Sequence, residues 1–389
     1  MDTLNKTNLA AEIITYLTEL ISIPTAYPPG DTSQMAAYLS KTFKAMGYTT
    51  ETHAAVSGLD NIVARMGSGS PSLVFNVHVD TVDAGDLSLW SHPPLEATVE
   101  GSHVFGLGSA NCKGSGAVQL WLAKEIARRG GPVKGEVIFT FVTDEESLGP
   151  NGMCFLRDQS IVKPNMLLLG APTDNSLITT ERGVLWVEIT TTGRPAHAGQ
   201  PEDGDNAILR MTRVINHLDS EMSYRLDQRI DGDMRSTINI GKLHGGRNTN
   251  VVPSQCTAQI DRRLLPSETV EHAFTEIVSV LKSAGEPEGM VSVERLRGTN
   301  GFRGDESGSL VTSLSAAIAA VTDSPATFST AIGVSDGRYF ADDDIEIVNF
   351  GPGIGSEGHA SNESVSIESL TISALILDEA FGNLIGYSI

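Results

Sequence analysis

Apolar runs of strand length alternate along the chain with amphipathic stretches of helical period. Leu73-Val-Phe-Asn-Val77 is nearly all apolar and ends abruptly in His78-Val-Asp80. Such a run is what a strand buried on both faces of a parallel sheet requires. Two further runs, Glu136–Val142 and Met166–Gly170, end in Thr143-Asp144-Glu145-Glu146 and in Ala171-Pro-Thr. A β pattern also covers Ile62–Met66. Around these lie helical patterns. One spans Leu9–Leu20 and stops before Pro24. A second opens at Asp31 or Thr32, carries Leu39, Phe43 and Met46 on one face, and stops at Gly47. A third leaves the glycine-rich turn Gly106–Gly116, runs to Arg129 and ends at Gly130. Strands alternating with helices predict an α/β fold with a mainly parallel sheet.

The middle of the chain follows a different order. A strand from Val184, a helix over Asn206–Leu218, strands near Thr237–Ile240 and Cys256–Arg262, a helix over Thr269–Ser283 and a strand near Val291–Leu296 make a βαββαβ sequence. That is the ferredoxin-like arrangement. The pattern then returns to the first type, with a helix near Leu310–Val321, a strand Ile345–Phe350, a loop holding His359 and a terminal helix from Ile367. The expected organisation is a first domain built from residues 1–181 and 296–389, with residues 182–295 inserted as a second domain. A length of 389 residues fits two domains.

Composition narrows the function. The net charge of −21 disfavours nucleic acid and anionic membranes, both of which call for basic surface. No stretch is long and apolar enough to span a bilayer. Glu12 and Glu19 interrupt the apolar residues near the N-terminus, which is unlike a signal peptide. The three cysteines, Cys112, Cys154 and Cys256, are too few and too scattered for a disulfide framework or a zinc ribbon. A cytoplasmic protein is expected.

Candidate chemistry gathers at strand ends, where open α/β sheets place their ligands. His78 and Asp80 fall on the same side of their strand, and a carboxylate that holds one imidazole nitrogen orients a metal-ligating histidine. The same pair also suits a core histidine satisfied by its neighbour. Glu145 and Glu146 point in different directions, so one can coordinate a cation while the other, desolvated, acts as a general base. A solvated acidic loop is the alternative. The Gly106–Gly116 turn matches neither a P-loop nor a dinucleotide fingerprint. His92 and His103 stand in loops without partners and read as surface or packing residues.

Taken in order, His78-x-Asp80, the glycine-rich turn with Lys113-Gly114, Asp144-Glu-Glu146, Gly193-Arg-Pro-Ala-His197 and Asn248-Thr-Asn250-Val-Val-Pro253 form a specific series. Asp261-x-Arg263-x-x-Pro266, Ser335-Asp-Gly-Arg338 and Gly351-Pro-Gly353 before His359 continue it. With Pro28-Pro-Gly30 at the start, the series covers nearly the whole chain. It resembles the metal-dependent amidohydrolase family that contains acetylornithine deacetylase, succinyl-diaminopimelate desuccinylase, aminoacylase and glutamate carboxypeptidase.

The resemblance implies an α/β catalytic domain with an inserted ferredoxin-like lid and dimerisation domain, and two zinc ions sharing a bridging carboxylate and a water. It makes His78 a ligand of one metal and Asp80 its supporting partner. Glu146 and His359 become ligands of the other metal, Glu145 the general base, and His197 the lid histidine that stabilises the oxyanion across a dimer interface. Two positions depart from the family pattern. The bridging aspartate is Asn111, and the glutamate of the Glu-Pro-Thr motif is Ala171. An amide offers one neutral oxygen and an NH2 that cannot ligate, so Asn111 is a weak ligand at most. Cys112 or Asp174 could compensate, with no spacing argument for either. The expectation is therefore one divalent ion, zinc or another, on the Glu146–His359 side, or none.

The expected function is hydrolysis of the amide bond of a small N-acyl amino acid or dipeptide-like substrate with a free carboxylate. Arg263 and Arg338 are candidates to grip that carboxylate, with Asn250 beside them as the resemblance implies. Either arginine could instead pair with a structural aspartate such as Asp261 or Asp336. Two alternatives stand: metal-independent hydrolysis or acyl transfer with Glu145 as base and Cys112 as nucleophile, and a non-catalytic binding protein that keeps the pocket. A homodimer through the inserted domain is expected.

Overall fold

The structure, a computed structural model, describes residues 3–331 and 333–388. The chain divides into two compact units. One holds the residues up to Thr179 together with Gly304–Ser329 and the stretch from Ser335 on; the other holds Thr180–Arg303 and Thr330–Val334.

The first unit is built on a six-stranded sheet, ordered Glu346–Asn349, Met166–Leu169, Ser72–His78, Glu136–Val142, Asp60–Gly67 and Thr49–Ala54. The first four strands are parallel, and Asp60–Gly67 and Thr49–Ala54 add an antiparallel edge. Every residue of Ser72–His78 is buried, which is why the segment reads as an apolar run. Its two faces differ in chemistry. Leu73, Phe75 and Val77 join Val137, Phe139 and Phe141 in a core with Ile13, Leu17 and Leu20 of the first helix and Leu377 and Phe381 of the last. Phe75 and Phe139 stack there at 5.0 Å between ring centroids. Each such side chain contributes about 1.5–3 kcal/mol by leaving water. On the opposite face a polar column runs toward the carboxyl ends of the strands. The Thr140 hydroxyl donates to Asn76 Oδ1 at 2.8 Å, and Asn76 Nδ2 donates to Asp336 Oδ2 at 3.0 Å. His78 is paired in register with Val142 at the last rung, so the period of two places it at the head of that column.

The second unit is a four-stranded antiparallel sheet ordered Thr237–Gly245, Gln255–Leu264, Gly183–Thr192 and Val291–Thr299. With the helices Ala207–Leu226 and Val270–Ser283 this is the ferredoxin-like order. Leu185, Val187, Ile189, Ala258 and Ile260 alternate inward and meet Met211, Val214, Leu218, Ala273 and Ile277. Asn206 caps the first helix, its Oδ1 accepting from the N–H groups of Ile208 and Leu209. Two elements run past the ends expected of them. That helix continues from Leu218 to Leu226, because Met222 and Leu226 prolong the four-residue spacing of buried positions. The last strand continues beyond 295 to Thr299, paired with Val184–Thr191, so the unit extends to Arg303. Among the described residues no helix is long and apolar enough to cross a membrane.

Candidate active site

Three strand ends of the first unit bring chemistry together. His78 closes one strand, and the loop after Val142 carries Asp144, Glu145 and Glu146 beside it. Asp144 is the staple of that loop. It sits at φ 66°, its carboxylate accepts from the Ser147 hydroxyl and, at 3.0 Å, from the Asn151 N–H, and a Cβ at Gly149 would run into it. The left-handed turn aims Glu145 and Glu146 inward, and His78, Glu145 and Glu146 each offer a donor atom within 4.8 Å of one another.

Asp80 holds His78 differently from the expectation. His78 Nδ1 lies 3.0 Å from the Asp80 main-chain carbonyl and 3.6 Å from carboxylate Oδ1, which makes no hydrogen bond. The strand ends at His78 and the chain turns, so the Asp80 carboxylate reaches across instead: its Oδ2 accepts from the Glu146 N–H at 3.0 Å. On the other side of the ring, His78 Nε2 is 3.9 Å from Glu145 Oε2.

Arg338 is 3 % exposed and does not present a free fork. Its Nη1 donates to Glu145 Oε1 at 3.2 Å, its Nη2 donates to the Tyr339 hydroxyl at 3.0 Å, and its Nε finds no partner. Burial pushes the Glu145 carboxyl up to about 7 against the pull of His78 and Arg338.

Asn111 also lies here. Its Nδ2 donates to Glu146 Oε1 at 3.0 Å and lies 3.0 Å from His359 Nε2, while His359 Nε2 is itself 2.8 Å from that Glu146 oxygen. The hydrogen bond that His359 donates to the Glu146 carboxylate raises the pKa of the imidazole. An amide NH2 therefore points at the two side chains that the resemblance makes ligands. It presents hydrogens where a bridging carboxylate would present lone pairs. Ala171, at its own strand end, carries no donor at all. Among the described residues, His78, Glu145 and Glu146 form the one cluster of donors close enough to hold a metal ion.

One functional-looking residue escaped the sequence reading. Glu363, 2 % exposed, accepts from the N–H groups of Gly108, Ala110 and Asn111 at 2.8–2.9 Å and so fixes the loop that carries Asn111. Burial raises its pKa, opposed by those three N–H groups. The sequence signal was an acid four residues after His359, with nothing to say that it folds back 252 residues.

The other candidates lie in the second unit. His197 is exposed and bridges to Val251, with the Ala198 N–H donating to the Asn250 carbonyl at 3.0 Å; Asn250 is exposed too. Arg263 pairs with Asp261, Nε to Oδ1 at 2.8 Å, and the Trp186 indole takes the other Asp261 oxygen at 2.7 Å. That is the structural pairing weighed against carboxylate binding. His92 leans on the Phe105 ring with its Nε2 3.0 Å from Glu100, as an ordinary packing histidine does.

Comparison with known proteins fits this architecture. Residues 179–288 match the family model described as a peptidase dimerisation domain. Succinyl-diaminopimelate desuccinylase of Buchnera aphidicola subsp. Acyrthosiphon pisum (strain APS) is 27% identical over 376 residues, covering 94% of this chain and 97% of that protein. An M20 family metallo-carboxypeptidase from Sulfolobus solfataricus superposes with a TM-score of 0.79 at 17% identity, over 96% of this chain and 99% of that one. A tripeptidase from Staphylococcus aureus gives 0.76 at 22% identity, over 96% and 97%. The chain is similar in fold to these M20 peptidases, and its second unit matches the dimerisation domain.

Proposed function

We propose that the chain hydrolyses the amide bond of a small N-acyl amino acid or dipeptide-like substrate that carries a free carboxylate. One observation supports this above the rest: Glu145, a mostly buried carboxyl, its side chain 11% exposed, at a strand end between His78 and Arg338, with its pKa held up to about 7. A carboxylate whose pKa lies near the working pH suits a general base, which takes a proton from water and returns it to the leaving amine. In this reading Asp80 orients His78 and the Glu146 backbone, and Arg338 holds Glu145 in place. Arg338 in the first unit, and Arg263 and Asn250 in the second, are each a separate candidate for the substrate carboxylate, the Arg338 Nε–H being without a partner. His197 stabilises the oxyanion from the partner subunit of a homodimer formed through the inserted domain.

The same reading assigns one divalent ion or none. A single ion would be held by His78 and Glu146, beside Glu145, and would polarise the scissile carbonyl. Glu145 and Arg338 act as described with or without it. The Asn111 amide, donating to Glu146 Oε1, favours as second reading a metal-independent hydrolysis or acyl transfer. The test is turnover of a panel of N-acyl amino acids by the purified protein, with and without chelator, alongside its metal content. A succinylated amino acid belongs in the panel because the desuccinylases are relatives. Turnover is expected. Binding without turnover across the panel would make the chain a non-catalytic binding protein.

A further inference from the structure

The second unit carries a hollow that the proton chemistry of Glu145 does not use. Its volume is about 500 Å³, and Asn206, Gly246, Arg247, Asn248, Thr249 and Val251 are among the residues lining it. No carboxylate lines it, and Arg247 is its one charged residue. In a chain of net charge −21 that needs a reason. The hollow against the helix Val270–Ser283, in the same unit, shows the contrast: there Lys282 is accompanied by Glu286 and Glu288.

The backbone explains how the loop comes to stand there. Gly245 ends the edge strand Thr237–Gly245, where a Cβ would meet Cys256 Sγ at 2.8 Å and Ile208 Cγ1 at 2.9 Å, so the chain lies close against the sheet. Gly246 follows at φ 75°, a left-handed turn that glycine takes without a steric cost. Beyond it the chain is fastened on both sides of His197. The Val252 N–H donates to the Ala196 carbonyl at 2.9 Å, and the Ala198 N–H to the Asn250 carbonyl at 3.0 Å. Arg247, Asn248 and Thr249 stand exposed on this base. Among the described residues, the Arg247 guanidinium, the Asn248 side-chain amide and the Thr249 hydroxyl have no hydrogen-bond partner. Arg210, Arg229, Arg262 and Arg263 of the same unit are all tied to carboxylates.

We propose that this hollow is a specificity pocket in which Arg247 takes a second carboxylate of the substrate, beyond the one on its amino-acid backbone. The proposal rests on the reading in which His197 serves the scissile carbonyl, and it adds a substrate class: molecules anionic at two places. Val251, which lines the hollow, bridges to His197, so a group seated there lies next to the carbonyl that His197 serves. A guanidinium fork accepts both oxygens of a carboxylate, and the Asn248 amide and Thr249 hydroxyl supply further donors beside it. The second carboxylate sits either at the end of a dicarboxylic acyl group or on the side chain of the amino acid. Both present the same chemistry to Arg247.

Two pairs of substrates, alike in shape and differing by one charge, test this: N-succinyl-L-alanine against its succinamoyl analogue, and N-acetyl-L-glutamate against N-acetyl-L-glutamine. The unaltered protein should favour the acidic member of one pair about tenfold or more in kcat/KM, through KM, as one charged hydrogen bond implies. A response in the first pair places the carboxylate on the acyl group, and in the second on the side chain. Arg247→Gln should erase the preference by raising KM for the acidic member. No preference in either pair, or a preference that survives Arg247→Gln, overturns the proposal and leaves amide hydrolysis standing. If no amide is turned over, the amide reading falls and calorimetry with succinate decides the pocket. Succinate binding that is lost in Arg247→Gln keeps Arg247 as a carboxylate site; no binding, or binding unchanged by the substitution, overturns it.

Discussion

Arg262 and Arg338 are both buried, at 0% and 3% exposure, and each gives one guanidinium nitrogen to a glutamate. Their partners differ. Glu268 receives Arg262 at 2.6 Å, Arg229 at 2.8 Å, the Leu265 N–H at 2.8 Å and the Ser236 hydroxyl. Burial alone would raise its pKa, but these donors outweigh burial and hold it below the ordinary carboxylate range. Glu145 receives Arg338 at 3.2 Å, with His78 no nearer than 3.9 Å, and its pKa rises to about 7. A carboxylate with four donors is locked as an anion and serves the fold. One that burial has stripped of water, with fewer donors in return, is left able to exchange its proton.

The largest effect separating the two glutamates is on chemistry. Glu145→Gln keeps the shape of the side chain and removes its basicity, so turnover should fall roughly 10²–10⁴-fold. The wild-type kcat/KM should decline as pH drops below about 7, where Glu145 takes up its proton. Any residual activity of the glutamine variant should lack that limb. The raised pKa also means that the folded chain keeps this proton to higher pH than the unfolded one. Its contribution to stability therefore falls as pH rises from the ordinary 4.5 toward about 7, and the variant should flatten that slope. An unchanged pH profile in Glu145→Gln would remove Glu145 as the base.

Glu268→Ala breaks the comparison from the other side. It strands the buried Arg262 and takes one of the two glutamates that Arg229 binds. Removing one partner of a buried pair costs about 3–5 kcal/mol. Urea denaturation should show that loss as a lowered midpoint, and a loss under about 1 kcal/mol would mean that the cluster relaxes around the gap.

How much of this was legible in the sequence depends on range. The apolar runs ending in His78 and before Glu145 read correctly because a strand buried on both faces favours a near-continuous apolar run, which here tolerates Asn76 and Thr140 because they hydrogen-bond each other. The βαββαβ order read correctly because hydrophobic period distinguishes strand from helix. The sequence brought His78, Glu145, Glu146, Asn111 and His359 into one candidate set, and the structure places them as neighbours. Pairings across hundreds of residues leave no periodic trace. Glu363 under the Asn111 loop and Arg338 on Glu145 needed coordinates, as did the choice of Asp261 as partner of Arg263.

A smaller effect concerns the metal. Asn111→Asp with Ala171→Glu replaces an NH2 donor and a methyl group with two carboxylates at the strand ends. The double variant should hold two equivalents of zinc after dialysis, where the parent is expected to hold one or none. Supporting groups alone change metal affinity about 10–100-fold, and two direct ligands should do at least as much. Two equivalents in the parent protein would show that other residues complete the site.

The smallest expected effect on stability belongs to Arg263. Its pair with Asp261 is partly exposed, 25% and 23% for the two side chains, and such pairs contribute about 0–1 kcal/mol. Asp261 keeps the Trp186 indole when the arginine goes. Arg263→Ala should therefore melt close to the parent, unlike Glu268→Ala only a few residues away. Its kinetics carry the information. If the guanidinium grips a substrate carboxylate, KM for an N-acyl amino acid should rise about tenfold or more, as loss of a charged hydrogen bond of ~1.5–3 kcal/mol implies. KM for the same substrate with its carboxylate amidated should hardly move. An equal change on both substrates would leave Arg263 as a structural partner of Asp261 and nothing more.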